Sequence, residues 1–235
     1  MCGQGTASDA ARRAAAIQGA DRSAQSCLDV LDGLFIMKQL GPKAGAQLLA
    51  SRLCSLSHYF VLRKNLMEPE AAPVRHAMQM TPIDECGLRG ILGSLEGLEP
   101  AERRDLLGYL LFYRSGFKNC YVMRREGQVA YMQTLIYPEE NAVIEQKYRR
   151  KFYPLKESQV MIENVFTFLP FRGLGCLQSG TRQLLDLARS QGYRSAVCYI
   201  RKDRIVSLNE FVKMGFRITR IMPEYKLFGK VWRGL

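Results

Sequence analysis

Histidine and tryptophan are nearly missing from this sequence: His58, His76 and a single Trp in 235 residues. So few imidazoles exclude a histidine-rich metal centre, and no metal is expected. Seven cysteines are present, but no two stand three residues apart, which removes zinc knuckles and Cys-X-X-Cys redox pairs. They read as reduced, small apolar fillers. No apolar run approaches the roughly 18 residues of a membrane span. The polar start Met1-Cys2-Gly3-Gln4-Gly5 has neither the apolar core of a secretory leader nor a glycine in second place for myristoylation, so a cytoplasmic protein is the expectation. There is no internal repeat. Residues 1–25, rich in Ala, Gly, Ser, Gln and Arg, read as a loose tail.

Apolar residues make up 47% of the chain, enough for a sizeable core, and the formal net charge is +12. That charge is unevenly placed. The balance is +1 over residues 1–117 and +11 over residues 118–235, which directs attention to the second half. A basic surface suits nucleic acid, anionic lipid or a phosphorylated ligand; a solvated basic face with no partner is the plain alternative. No nucleic-acid motif or aromatic stacking platform is visible, so specific nucleic-acid binding is not expected.

Apolar spacing predicts helices over residues 27–40 and 43–56, stopped between them by Gly41-Pro42, then a strand over 59–66. Helices follow over 83–95 and 100–113, and strands over 119–125 and 129–137 joined by the turn Glu126-Gly127-Gln128. Residues 139–151 are polar and basic and read as a loop or short helix, with Lys147 to Lys151 contacting an acidic acceptor, a carrier protein or lipid headgroups, or simply facing water. From Val160 the pattern sharpens into a strand to Leu169, a turn at Arg172-Gly173-Leu174-Gly175, a helix over 177–190, a strand over 195–201, a helix over 206–214 and two last strands over 216–222 and 225–232 around Pro223. This order predicts a mixed α/β sheet flanked by helices.

A glycine turn between a strand and a helix has a physical use. The first helical turn leaves about four N–H groups unpaired, and with the positive end of the helix dipole they bind phosphate. Glycine lets the backbone approach the anion, and Arg172 adds positive charge. Taken alone, Arg-Gly-X-Gly is equally a plain tight turn. Its surroundings add to it: Phe168-Leu169-Pro170-Phe171-Arg172-Gly173-Leu174-Gly175-Cys176, the Leu-rich helix, Gln191-Gly192-Tyr193, the strand Ala196 to Ile200 and Ser207 to Gly215-Phe216. Over residues 160–216 the chain resembles the GNAT acyltransferase superfamily, whose signature is Gln/Arg-X-X-Gly-X-Gly/Ala.

That resemblance implies an α/β (α+β) fold with a mixed, mostly antiparallel central sheet over residues 58–235; residues 1–57 lie outside it and, from their apolar spacing, read as a helical N-terminal extension with a loose tail. It implies an N-acyltransferase that uses acetyl-CoA or another acyl-CoA and a small-molecule amine as acceptor. Backbone groups of Phe166, Thr167 and Phe168 would hold the pantetheine arm, and those of Arg172, Gly173, Leu174, Gly175, Cys176 and Leu177 the pyrophosphate. The thioester would lie between Glu163–Phe166 and Val197–Tyr199. Three departures stand out: Leu177 replaces the final small residue of the signature, Phe211 stands where family members often carry an acidic tyrosine, and Arg204 stands where they often carry asparagine.

The remaining chemistry falls to Glu163 as base, with Tyr199 and Ser207 protonating or orienting the leaving thiolate; an ordinary strand glutamate and structural roles are the plain readings. Tyr131, Gln133 and Tyr137 alternate on one strand and face either the acceptor pocket or a helix. Cys176 and Cys198 lack a histidine partner for nucleophilic catalysis. A long-chain acyl-CoA or acyl-carrier-protein-dependent N-acyltransferase, and a non-catalytic binding module on the same scaffold, are the alternatives. An acyl carrier protein and a second copy of the chain are the candidate macromolecular partners.

Overall fold

Strand β5 (Gln159–Thr167) is buried nearly from end to end. Such a strand needs neighbours on both edges and helices on both faces. The structure, a computed structural model, describes residues 54–68, 78–228 and 230–234. By compactness the chain divides into residues 56–225 with 231–235, and residues 1–55 with 226–230. The helices expected over 27–40 and over most of 43–56 lie outside the described residues. Residues 54–56 do not continue that helix: they open strand β1 (Cys54–Asn65), which starts five residues before the strand expected from Tyr59. The others are β2 (Met80–Pro82), β3 (Cys120–Arg125), β4 (Gln128–Ile136), β6 (Ser195–Arg201), β7 (Arg217–Leu227) and β8 (Lys230–Arg233). Their order in the sheet is β2-β3-β4-β5-β6-β1-β7-β8. Pairings β2–β3, β3–β4, β4–β5 and β1–β6 are antiparallel, and β5–β6 is parallel. The architecture is thus the mixed, mostly antiparallel α/β sheet expected.

Among the described residues, four helices of nine or more residues flank it: α1 (Glu85–Gly93), α2 (Pro100–Arg114), α3 (Cys176–Ser190) and α4 (Ile205–Lys213). Side-chain alternation assigns them to faces. Val160 and Ile162 of β5, Ala196, Cys198 and Ile200 of β6 and Leu62 of β1 pack with Leu184, Leu185 and Ala188 of α3 and Phe211 of α4. The intervening Met161, Val197, Tyr199 and Val61 pack on the opposite face with Phe112 of α2, Ile144 and Phe152. Local chemistry supports the elements. Pro100 occupies the first turn of α2, where its missing N–H costs nothing. The β3–β4 hairpin turns through Glu126 and Gly127, both at positive φ, the tight two-residue turn that matches strand twist.

One irregularity governs the rest. Asn164 has φ 53° in the middle of β5. On its β4 side the register passes from Glu163 opposite Thr134 to Phe166 opposite Met132, so Asn164 and Val165 together oppose Gln133. This is a bulge of one extra residue, and an extra residue exchanges the two faces of the strand beyond it. Phe166 and Phe168 consequently turn to the side of α1 and α2, among Ile91, Leu106 and Leu110. On its other edge β5 pairs with β6 only as far as Ile162 opposite Cys198.

One sequence expectation changes, and one alternative left open by the sequence is decided. Pro223 does not separate two strands but lies inside β7, which runs on to Leu227 before β8 begins at Lys230. Tyr131 and Gln133 face helix α3, not a pocket: the Tyr131 hydroxyl donates to Gln133 Oε1 at 2.6 Å, and Thr181 Oγ1 of α3 donates to the same oxygen at 3.2 Å. Tyr137 likewise joins the cluster beneath α3. Gly180 is what allows this approach, because a Cβ there would fall inside the edge of the Tyr131 ring and 3.2 Å from Met80 Sδ. Tyr131 is fully buried and has no room to yield. Gly180→Ala is therefore expected to destabilise the fold by about 1–3 kcal/mol, the usual effect of overpacking, seen as an earlier denaturant midpoint. An unchanged midpoint would show that α3 moves away at little cost.

Candidate active site

Beyond Ile162 and Cys198 the strands β5 and β6 part, and a cleft of about 560 Å³ opens between them. Helix α2 contributes Asp105, Tyr109 and Phe112 to its wall; β5 contributes Glu163, Asn164 and Val165; β6 and α4 contribute Tyr199, Arg201, Ser207 and Phe211. Lys151, Phe152 and Arg233 complete the lining with Tyr59 and Tyr148. All three catalytic candidates from the sequence, Glu163, Tyr199 and Ser207, thus meet in one place.

Glu163 points to the same face as Tyr199 and Phe152, because it is odd-numbered before the bulge like Met161. Protein surrounds its carboxyl on most sides while the cleft leaves part of the residue accessible. Burial raises its pKa to about 7, against the opposing pull of Arg233, the Asn164 N–H and Lys151. A carboxyl so placed exchanges a proton readily near neutrality. Around it stand phenols that burial keeps protonated: Tyr109 is pushed up to about 12, and Tyr59 and Tyr199 are raised as well. The Tyr199 hydroxyl accepts the Tyr153 N–H at 3.3 Å, which leaves its proton free to point elsewhere. Asn164 is only 8% exposed, and its Nδ2 has no hydrogen-bond partner in the protein although it lines the cleft. An unpaired buried amide is costly and points to a group that arrives from outside.

Arg233 holds the cleft floor. It sits 3.6 Å above the Tyr59 ring centroid and within 5.3 and 5.6 Å of those of Phe152 and Tyr199, while Nε donates to Glu224 at 2.8 Å and Nη1 to the Lys151 carbonyl at 3.0 Å. Pairing and stacking together are what permit a guanidinium to be this buried. Phe211 is buried against Phe216, with centroids 5.0 Å apart, and supplies no proton.

The glycine turn lies beyond the far end of β5. Gly173 and Gly175 have φ of 80° and 72°, and a Cβ on either would meet no atom within 4 Å, so the backbone stands open. Gly175 caps α3 and its carbonyl accepts Ser179 N–H at 2.9 Å; no side chain caps the first turn. The N–H groups of Cys176, Leu177 and Gln178 are thereby left for an anion. The Leu177 side chain turns into the apolar clusters beneath α3 and does not obstruct them; Leu174 is exposed.

Several assignments read from sequence alter. The Arg172 guanidinium is paired with Glu102 at 2.6 Å and donates to the Thr167 carbonyl at 3.2 Å, so its charge is already matched, and its backbone N–H donates to Leu169 O at 3.2 Å and is not open to an anion. Phe168 N–H donates to Ala130 O at 3.1 Å. By alternation Phe166 also faces β4, and Val165 and Thr167 carry the outward backbone groups. Cys176 and Cys198 are buried thiols, each raised above its ordinary value by burial first, which disfavours the thiolate that a nucleophile needs. Tyr59, Tyr109 and Arg233 escaped the sequence reading, and Lys151 entered it only as the end of the basic run Lys147 to Lys151. Tyr109 follows Asp105 by one helical turn, a weak signal; Arg233 carried none. Among the described residues no cluster of His, Cys, Asp or Glu suits a metal ion, and no helix is long and apolar enough to cross a membrane.

Linkage supplies a check on Glu163. Its folded pKa of about 7 exceeds the ordinary 4.5, so the folded state retains a proton that the unfolded state releases between those values. Stability from this group is full below pH 4.5 and falls as pH rises through 7. Glu163→Gln removes that loss, so the Tm of the variant relative to the parent should rise between pH 4.5 and pH 8. A pH-independent difference would mean that Glu163 titrates normally.

Among solved structures the fold is similar to a GCN5-related glucosamine N-acetyltransferase region of a fungal multi-domain GH3 beta-N-acetylglucosaminidase (TM-score 0.52, 10% identity, 81% of this chain and 22% of that one). It is similar to a functionally unknown conserved protein from Staphylococcus epidermidis ATCC 12228 (0.50, 9%, 82% and 65%) and to a GCN5-related N-acetyltransferase from Sphaerobacter thermophilus (0.49, 13%, 81% and 55%). In each case this chain spans less than two thirds of the other's length. No protein-family profile and no curated protein sequence matches it. At such identities the likeness concerns architecture alone, and on that ground the chain has a GNAT-like fold.

Proposed function

We propose that the chain is an acyl-CoA-dependent N-acyltransferase, in the simplest case transferring acetyl to the amine of a small molecule. The observation that carries the reading is the Glu163 carboxyl, poised at about pKa 7 where β5 and β6 part in a GNAT-like sheet. The glycine turn fits a pyrophosphate, since Gly173 and Gly175 leave open backbone in front of uncapped N–H groups. The outward edge of β5 at Val165 and Thr167 fits an amide-bearing arm laid beside it. When bound, acyl-CoA supplies an activated acyl group as a thioester. Glu163, ionised, takes the proton of the acceptor ammonium and leaves the neutral amine that can attack. Asn164 Nδ2 is the unpaired donor suited to negative charge on a carbonyl oxygen. Tyr59, Tyr109 or Tyr199, or water, replaces the proton donor that Phe211 cannot be. The cofactor thiol is acidic enough, near the cysteine value of about 8.5, that base assistance outweighs acid assistance.

Paired variants test this. Gly175→Glu places bulk and negative charge in the open space before the helix terminus and should abolish coenzyme A binding measured by calorimetry, with the fold retained. Glu163→Gln should keep coenzyme A affinity and lower kcat by roughly 10²-fold. The parent kcat should rise with pH through an apparent pKa near 7, since the base works deprotonated. Coenzyme A binding that survives Gly175→Glu, or full turnover in Glu163→Gln, would contradict the assignment.

A further inference from the structure

Four cations line the cleft among the described residues: Lys151, Arg201, Arg204 and Arg233. Three are neutralised. Arg201 forms two bonds to Asp203 at 2.6 and 2.8 Å, Arg204 pairs with Asp105, and Arg233 pairs with Glu224 at 2.8 Å. Lys151 differs. It is half-buried, and among the described residues its ammonium has no carboxylate or carbonyl within hydrogen-bond distance; it stands over the Tyr148 ring, with the centroid 5.8 Å away, and Glu224 and Glu163 act on it only at longer range. Burial, then the nearby Arg233, lowers its pKa, while Glu224 and Glu163 oppose that shift. Partial burial of an ammonium without a partner is unfavourable. Of the basic run Lys147 to Lys151, Lys147 Nζ donates to the Ser115 carbonyl at 2.6 Å, and only Tyr148 and Lys151 reach this cleft.

Much of the wall is aromatic, with Tyr59, Tyr109, Phe112, Tyr148, Phe152 and Tyr199 among its residues. A ligand between Glu163 and Lys151 therefore meets a proton acceptor at one point, an ammonium with no hydrogen-bonded partner at another, and aromatic side chains in the same lining. Resting on the transferase reading above, we propose that the acceptor is an amino acid with an apolar or aromatic side chain: its amine faces Glu163 and its carboxylate pairs with Lys151. One unpaired charge suits a monoanion, where a phosphate would need a second cation. The rival role for Lys151 is that of a counter-charge which merely tunes Glu163.

Binding probes separate the two without requiring turnover. The full chain is titrated with 3-phenylpropanoate and with 3-phenylpropanol, which differ in the carboxylate alone. The parent should bind the carboxylate at least about tenfold more tightly, the range of one charge-assisted pair. In both Lys151→Met and Lys151→Gln, which keep the stem of the side chain, that ratio should fall to within about twofold. Equal binding of the two probes by the parent overturns the proposal. So does a preference that persists in both variants, even where the pH midpoint of turnover moves. With acetyl-CoA present, phenylalanine should be acylated in preference to 2-phenylethylamine. Transfer that favours 2-phenylethylamine sinks the carboxylate role of Lys151 and leaves the transferase reading intact. Carboxylate selectivity in a chain that binds no coenzyme A does the reverse: the anion site stands and the transferase reading falls.

Discussion

Parallel pairing of β5 with β6 stops at Ile162 and Cys198, and the cleft that holds Glu163 opens at that break. Two adjacent strands in mid-sheet normally exchange all their backbone hydrogen bonds. Where they part, backbone groups and side chains of both become available within the interior. The bulge at Asn164 is the local cause. Its left-handed conformation adds one residue against β4, bends the strand and exchanges its faces. Glu163 is the last residue before that exchange, and it is delivered beneath α2; Phe166 is the first to pack on the other side of it. Asparagine tolerates this conformation better than other non-glycine residues, and its amide is left unpaired in the cleft.

Placing a carboxyl at this point has an electrostatic consequence. Burial disfavours its charged form, and the surroundings only partly compensate, through Arg233, the Asn164 N–H and Lys151. Arg233 is itself fixed by Glu224 and a ring on three sides, so its charge is largely satisfied before it reaches Glu163. The balance leaves the carboxyl near neutrality instead of strongly ionised. The same aromatic packing that raises Glu163 keeps Tyr59, Tyr109 and Tyr199 protonated. One cleft thus holds a group ready to accept a proton and several able to give one.

The sequence foretold much of this and missed the rest for definite reasons. Helix α3 and strand β6 were legible because Leu184, Leu185 and Ala188 repeat at helical spacing and Ala196 to Ile200 form a short apolar run between turns. The glycines at 173 and 175 announced a turn between strand and helix that is open to an anion. The bulge at Asn164 was not legible, since a single polar residue inside a buried strand has no periodic signature. Without the bulge the orientations of Phe166 and Phe168 could not be assigned. Tyr131 and Gln133 alternate in either environment, and only the approach of Gly180 decides for α3. Arg172 looked like a free cation because its partner, Glu102, lies 70 residues earlier. Arg233 and Lys151 reach the cleft from segments whose local pattern is merely basic.

The central claim is that Glu163 is held near neutrality at the parting of the strands. Carbon-13 NMR of glutamate side chains, with Glu163→Gln used to assign the resonance, follows that carboxyl directly through a pH titration. An apparent pKa of about 7 is the predicted result. A midpoint near the ordinary 4.5 would place the carboxyl in contact with bulk water and remove the base from the mechanism.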